Sequence, residues 1–168
     1  MKSLRFPAAG WEKLTFATNG RKETMSRIEK SIFINAPSEK IWDTATDPNH
    51  WADWYVGLKE VKSIVGDGSA GTTSEMTFDM SGMKLQFKHT VLEWDRPRKW
   101  VGLTEGAIDS TSTWTYEPQE GGTLVKAVMD YTVPGSVLGK IADKLVIERR
   151  NAEDMEKTLE NLKKLCEG

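Results

Sequence analysis

The apolar residues near the C-terminus recur at alternating intervals of three and four, the spacing that places side chains on one face of an α-helix. The pattern runs from Ser136 to Cys166 without a proline, and Ser136 has the chemistry of an N-cap. A helix of this length would extend about 45 Å at about 1.5 Å per residue. Its long apolar face needs a large partner surface, so we expect it to lie on a sheet. The positions on that face are Leu138, Ile141, Leu145, Ala152, Met155, Leu159, Leu162 and Cys166.

The middle of the chain alternates apolar with polar residues, which is typical of β-strands with one buried face. Short turns rich in Gly, Asp, Ser and Pro separate these stretches, and such short links join antiparallel neighbours. A curved antiparallel sheet with one apolar face is therefore predicted. Its strands are Leu58 to Val65, Thr72 to Met80, Met83 to Trp94, Lys99 to Thr104, Ile108 to Tyr116 and Thr123 to Val133.

A further strand and two short helices precede this sheet region. The strand alternates from Arg27 and ends at Ile34, and Pro37 marks the start of a first helix. A second helix is predicted directly after it, with Asp47 as N-cap and Pro48 as its first residue.

Composition narrows the class of protein. The 168 residues carry a net charge of -2 and are 38% hydrophobic, which is enough for one domain with one substantial core. A slightly acidic chain is a poor ligand for phosphate backbones, so we expect no nucleic-acid partner. The sequence has 1 cysteine and no apolar run of membrane-spanning or signal-peptide length, so we expect a cytoplasmic protein without stable membrane insertion.

The run Ile34–Trp42, followed by Asp47 and the segment Trp51–Trp54, resembles the opening of the polyketide cyclase/dehydrase-like branch of the START-like (SRPBCC) superfamily. The resemblance implies an α+β helix-grip fold. In that fold a curved antiparallel sheet of about seven strands wraps around a long C-terminal helix, with two short helices after the first strand. Residues 1–25 would then be an N-terminal extension and 26–168 the START-like domain.

The resemblance also implies a cavity between helix and sheet for an apolar small molecule such as a lipid, polyketide, sterol or isoprenoid. The favoured function is a non-catalytic binding or carrier protein. One alternative is a cyclase, aromatase or dehydrase type of enzyme, with His89, Tyr131 and Glu148 as the candidate acid–base groups. A second alternative is a protein-interaction domain like that of chaperone activators. The oligomeric state, monomer or dimer, stays open.

No motif for a cofactor or a metal is present, so we expect neither. His89 alternates with Phe87 and Val91 and should point inward, either as a core histidine or as a ligand-binding group. We expect the cavity to be apolar and about 300 Å³ or larger. Its predicted lining is Trp54, Met76, Phe78, Leu85, Phe87, His89, Trp114, Met129, Tyr131, Glu148, Ala152 and Met155.

Glu148 is an acidic residue in the apolar arc of the predicted C-terminal helix. Burying its ionised carboxylate is costly unless a partner compensates for the lost water. Two interpretations stay open. In the first, the helix is rotated slightly, or Glu148 extends its carboxylate to solvent or pairs locally with a basic residue such as Lys144 or Arg149. In the second, Glu148 forms the polar end of the cavity.

No periodic apolar pattern supports an independent element before Arg27. Removing residues 1–24 should therefore leave the fold intact and change the melting temperature by less than about 2 °C, because terminal segments without packed apolar faces add little stability. Thermal unfolding followed by circular dichroism on the full chain and the shortened chain measures this. A transition that disappears on truncation would show that Trp11 or Phe16 packs into the core.

Overall fold

The computed structural model describes residues 25–80, 82–133, 135 and 144–168. The extension predicted at 1–25 therefore lies outside the described residues apart from Met25, which begins the first strand. The helix start predicted at Ser136 lies outside them too, together with Leu138 and Ile141.

The described part of the chain folds into one antiparallel sheet of 7 strands, in the order β1-β7-β6-β5-β4-β3-β2, with two short helices after β1 and a long helix at the C-terminus. This confirms the predicted α+β helix-grip architecture. All the predicted strands are present, with their ends displaced by a few residues. The elements are β1 (Met25–Ile34), α1 (Ser38–Thr46), α2 (Trp51–Trp54), β2 (Leu58–Val65), β3 (Thr73–Met80), β4 (Met83–Asp95), β5 (Lys99–Gly106), β6 (Asp109–Gln119), β7 (Gly122–Thr132) and α3 (Lys144–Glu167).

The second short helix begins later than predicted. The Asp47 side chain accepts a hydrogen bond from the backbone N–H of Asn49 at 3.0 Å, which forms a turn and not a helix N-cap. Helix α2 starts at Trp51, whose indole Nε1 donates to the Ala45 carbonyl at 2.8 Å. This bond ties α2 to the end of α1 and places Trp51 and Trp54 against the sheet.

Helix α3 packs on the concave side of the sheet, chiefly against β1. Its C-terminal half is closely packed, because Leu159, Leu162 and Cys166 are at most 1% exposed. Two hydrogen bonds fix it to the segment around α2. The Thr158 hydroxyl accepts from Val56 N at 3.1 Å, and the Asn161 amide donates to the Trp54 carbonyl at 3.1 Å.

The buried face of α3 is turned slightly relative to the predicted one. Ile147 was not on the predicted apolar face, but it is 4% exposed. Glu148 and Ala152, which were predicted to lie within that face, are half-buried. The sheet is curved, so a wide arc of the helix lies against it, and both sides of that arc are partly covered. None of the described helices combines the length and the apolar character that a bilayer crossing requires.

Two leucines of α3 test whether the C-terminal half of this helix holds the fold together. Leu162 is fully buried and Leu165 is 49% exposed. Leu162→Ala should lower the free energy of unfolding by about 2–5 kcal/mol because it opens a hole in the core. Leu165→Ala, the matched control, should change it by less than about 0.5 kcal/mol. Urea unfolding measures both, and equal losses would contradict the described helix orientation.

Candidate functional site

A cavity of about 210 Å³ lies between the concave face of the sheet, α2 and α3. It is smaller than the 300 Å³ expected from the sequence, because rigid aromatic rings occupy much of the enclosed space. Most of the predicted lining residues form its wall. These are Trp54, Met76, Phe78, Phe87, His89, Trp114, Met129, Tyr131 and Met155.

The structure places Leu85, Glu148 and Ala152 elsewhere. Leu85 packs against the core beside its strand partner Phe78, whose ring forms the cavity wall at that position. Ala152 also packs against the core. The turned face of α3 presents other residues to the cavity, so the helix contributes Ile147, Arg150, Asn151, Asp154, Met155 and Thr158 to the wall.

The Glu148 carboxylate is directed at the first strand. Its Oε1 accepts a hydrogen bond of 2.7 Å from the hydroxyl of Ser26, which is 9% exposed. Arg149, one of the predicted local partners, pairs with Glu153 at 3.1 Å. A hydroxyl donor from β1 therefore compensates this half-buried carboxylate, and Glu148 contributes to holding α3 on the sheet.

His89 is 3% exposed and lies among aromatic rings. Its imidazole stacks on Trp100, with ring centroids 5.5 Å apart, and meets the Trp51 ring edge-on at 5.1 Å. Gly102 makes this arrangement possible, since a side chain there would collide with His89 Nε2 and with the Trp100 ring. Burial lowers the pKa of His89 to about 4, so its ring is neutral at pH 7.

Tyr131 provides a second uncharged polar group. Its side chain is 2% exposed, and its hydroxyl makes no hydrogen bond of normal geometry with the described residues. Burial is the main reason that the pKa of Tyr131 is raised. Ser26 and Asn151 lie close enough to oppose that rise, and the Glu148 charge adds to it. The phenol is therefore protonated at neutral pH.

Charged residues of the cavity wall lie on α3 and at the β3–β4 hairpin. Arg150 and Asp154 form an ion pair at 3.8 Å, and their side chains are 54% and 35% exposed. Asp79, near the end of β3, is the charged wall residue at the β3–β4 hairpin. The strands at the centre of the sheet contribute uncharged side chains, so an apolar molecule could enter without desolvating a buried charge.

Sequence reasoning missed the three Ser and Thr residues that the sheet contributes to the wall, Thr104, Ser110 and Ser112, and also Thr158 of α3. Ser110 and Ser112 could have been predicted from the alternation of β6. Every second residue of a strand faces the same side, and Trp114 was already predicted to face inward. Thr104 is the β5 partner of Ser110. Within the described ranges, no group of three or more His, Cys, Asp or Glu side chains is arranged to hold a metal ion.

Several solved structures share this fold. A protein from Thermus thermophilus superimposes with a TM-score of 0.69 at 21% identity, covering 83% of this chain and 95% of its own. The Zhui aromatase/cyclase from a Streptomyces species gives 0.71 at 16% identity, covering 86% and 94%. Norcoclaurine synthase from Thalictrum flavum gives 0.65 at 19% identity, covering 88% and 97%. At these identities the similarity shows the fold alone.

No curated protein sequence matches this chain. A family model does match, described as polyketide cyclase/dehydrase and lipid transport, and the match extends over residues 25–167. It spans every strand and helix described above and agrees with the family resemblance found in the sequence. The chain belongs to the polyketide cyclase/dehydrase and lipid transport family.

Proposed function

We propose that this protein binds an uncharged hydrophobic small molecule in the cavity between the sheet and α3, as a non-catalytic binding or carrier protein. The observation that carries the proposal is the neutral, largely aromatic interior of the cavity. Trp54, Phe78, Phe87 and Trp114 supply apolar surface, and His89 is uncharged at neutral pH. Such a wall is complementary to an apolar guest. Lipids, polyketides, sterols and isoprenoids all belong to this ligand class.

Catalysis of the cyclase or dehydrase type is the second candidate, because His89 and Tyr131 line the same cavity and the family includes such enzymes. Their protonation states weigh against it. With a pKa of about 4, His89 is a weak base and cannot donate a proton as imidazolium at pH 7. Glu148, the third candidate, is engaged by Ser26 outside the cavity wall. Tyr131 could still polarise a carbonyl as a neutral hydrogen-bond donor.

Filling the cavity should abolish binding. Ser112→Phe replaces a hydroxyl with a phenyl ring in the wall of a cavity of about 210 Å³. We expect N-phenyl-1-naphthylamine, an uncharged apolar dye, to bind the natural protein with a fluorescence increase and the variant at least about tenfold more weakly, because the free volume is lost.

Thr113→Phe is the matched control, since position 113 faces the other side of β6 and the variant should bind the dye as the natural protein does. Circular dichroism checks that both variants fold. If Ser112→Phe distorts the sheet, Met129→Phe on β7 serves as the second cavity variant. Unchanged dye binding in a folded cavity variant, or no binding to the natural protein, would overturn the proposal.

The neutral state of His89 predicts a defined pH dependence. The pKa of His89 is about 4 in the fold and near 6.5 in the unfolded chain, so the unfolded chain takes up the proton first. Stability is therefore lost as the pH falls from about 6.5 towards 4, by about 2–3 kcal/mol from this group. Below about pH 3, one unit under the folded-state pKa, its contribution changes no further.

Urea unfolding at pH 7.5 and pH 4.5 measures this effect. His89→Gln should show a smaller loss of stability between the two pH values than the natural protein. His50→Gln is the control, because His50 is exposed and its pKa is raised by a hydrogen bond with Asp53. That variant should keep the His89-dependent loss. Identical pH dependence in the natural protein and His89→Gln would contradict burial of a neutral imidazole.

A further inference from the structure

A second cleft, with a volume of about 340 Å³, lies at the end of the sheet opposite the β3–β4 hairpin. It is found where β2 and β4 end, between the C-terminal half of α1 and the turns that follow these two strands. Among the described residues, none of its wall also lines the cavity between the sheet and α3. The cleft is therefore a separate site.

The wall of this cleft has an excess of negative charge. Three of its residues are aspartates, Asp43, Asp47 and Asp67, which we call the cleft aspartates, and one is an arginine. Arg96 binds Asp43 at 2.8 Å. The other two carboxylates each accept a hydrogen bond from a backbone N–H of their own turn, at 3.0 Å and 2.9 Å. Hydrogen bonds from Ser69 hold the pKa of Asp67 below its usual range, so this carboxylate is charged at neutral pH.

Two tryptophans form the apolar part of the cleft. The half-buried Trp94 ring meets Trp42 edge to face, with ring centroids 4.9 Å apart. Gly68 at the rim has no side chain to cover the Trp94 ring, which is 3.8 Å from the place of a Cβ there. Trp42 is 1% exposed, and its indole N–H has no acceptor among the described residues. Aromatic rings beside carboxylates suit a basic side chain on an aliphatic stem, and a peptide also supplies carbonyl acceptors.

The segment 1–24 has the composition that this cleft requires. It carries five basic and two acidic side chains, together with Phe6, Trp11 and Phe16. The whole chain has 23 basic and 25 acidic residues, so residues 25–168 carry five more acidic than basic side chains. The two parts of the chain are opposite in charge. Because they are covalently linked, the segment is present at about millimolar effective concentration, at which weak contacts suffice for binding.

The segment is also long enough to reach the cleft. It joins the domain at Met25, at one end of β1, and the cleft lies at the level of the other end of that strand. The strand extends over about 31 Å at about 3.4 Å per residue. Between Trp11 and Met25 an extended chain spans up to about 46 Å. Residues 1–11, with the basic side chains of Lys2 and Arg5, are therefore within reach of the cleft.

We infer that residues 1–24 dock in this cleft of their own chain, with a Lys or Arg side chain among the cleft aspartates and an aromatic side chain against Trp94. The inference goes beyond the proposed function, because the cleft is separate from the cavity and the segment precedes residues 25–167 that the family model matches. Exposed ion pairs are individually weak and are screened by salt. This agrees with the small change in melting temperature expected on removal of residues 1–24.

Carbodiimide cross-linking of the full chain tests the docking, because it joins a lysine amine to a carboxylate only where the two are in contact. The cross-linked monomer is isolated, digested and analysed by mass spectrometry. Links from Lys2 or Lys13 to the cleft aspartates should be at least about tenfold more frequent than links to Glu117 or Glu120, because docking concentrates the amines at the cleft. These two glutamates are the matched reference, since they are exposed and lie at the same end of the sheet.

Asp67→Asn keeps the oxygen that accepts from Ser69 and removes the charge. Links to the two remaining cleft aspartates should fall at least about threefold in this variant and in about 0.5 M NaCl, because the attraction is electrostatic. Glu120→Gln is the control and should leave them unchanged. Links spread evenly over the cleft aspartates and the two reference glutamates, or links insensitive to both Asp67→Asn and salt, would overturn the inference. Links found only in covalent dimers would overturn it too, since the occupant would then be a second copy.

Discussion

The contact between the C-terminal half of α3 and the concave face of the sheet is the interaction on which the rest of the structure depends. Leu159, Leu162 and Cys166 are almost fully enclosed there. Thr158 and Asn161 add hydrogen bonds to the segment that carries α2. Because this end of the helix is anchored, the preceding turns can lie over the sheet without filling the space beneath them. The C-terminal half of α3 thus completes the core, and its preceding turns form one wall of the cavity.

Aromatic side chains keep that cavity open. Trp54 meets Trp114 at 86° and a ring-centroid distance of 5.7 Å, and Phe78 meets Phe87 at 86° and 5.5 Å. Flat rings packed edge to face bury much apolar area, but they cannot bend to occupy the remaining volume as a flexible chain would. The sheet supplies the register that brings these rings together. The stability of the fold and the open cavity therefore arise from the same contacts.

Much of the fold could be predicted from local patterns, because strand alternation and turn residues act over a few positions. Strand pairing is a different matter. Ser110 carries no signal in its own neighbourhood that it lies level with Thr104 and Tyr131, since that alignment depends on the lengths of the β5–β6 and β6–β7 hairpins. The orientation of Glu148 was equally hard to predict, because its partner Ser26 is 122 positions away.

Gly102 has a consequence for how this pocket can vary. The His89 and Trp100 rings lie over Gly102, which has no side chain. If either ring were replaced by a smaller group, nothing on this strand would fill the space. A smaller residue in place of either ring would open volume at the side of the cavity and leave the backbone hydrogen bonds between β4 and β5 intact. A single substitution to a smaller residue at position 89 or 100 would therefore enlarge the cavity of this chain with no change in strand register.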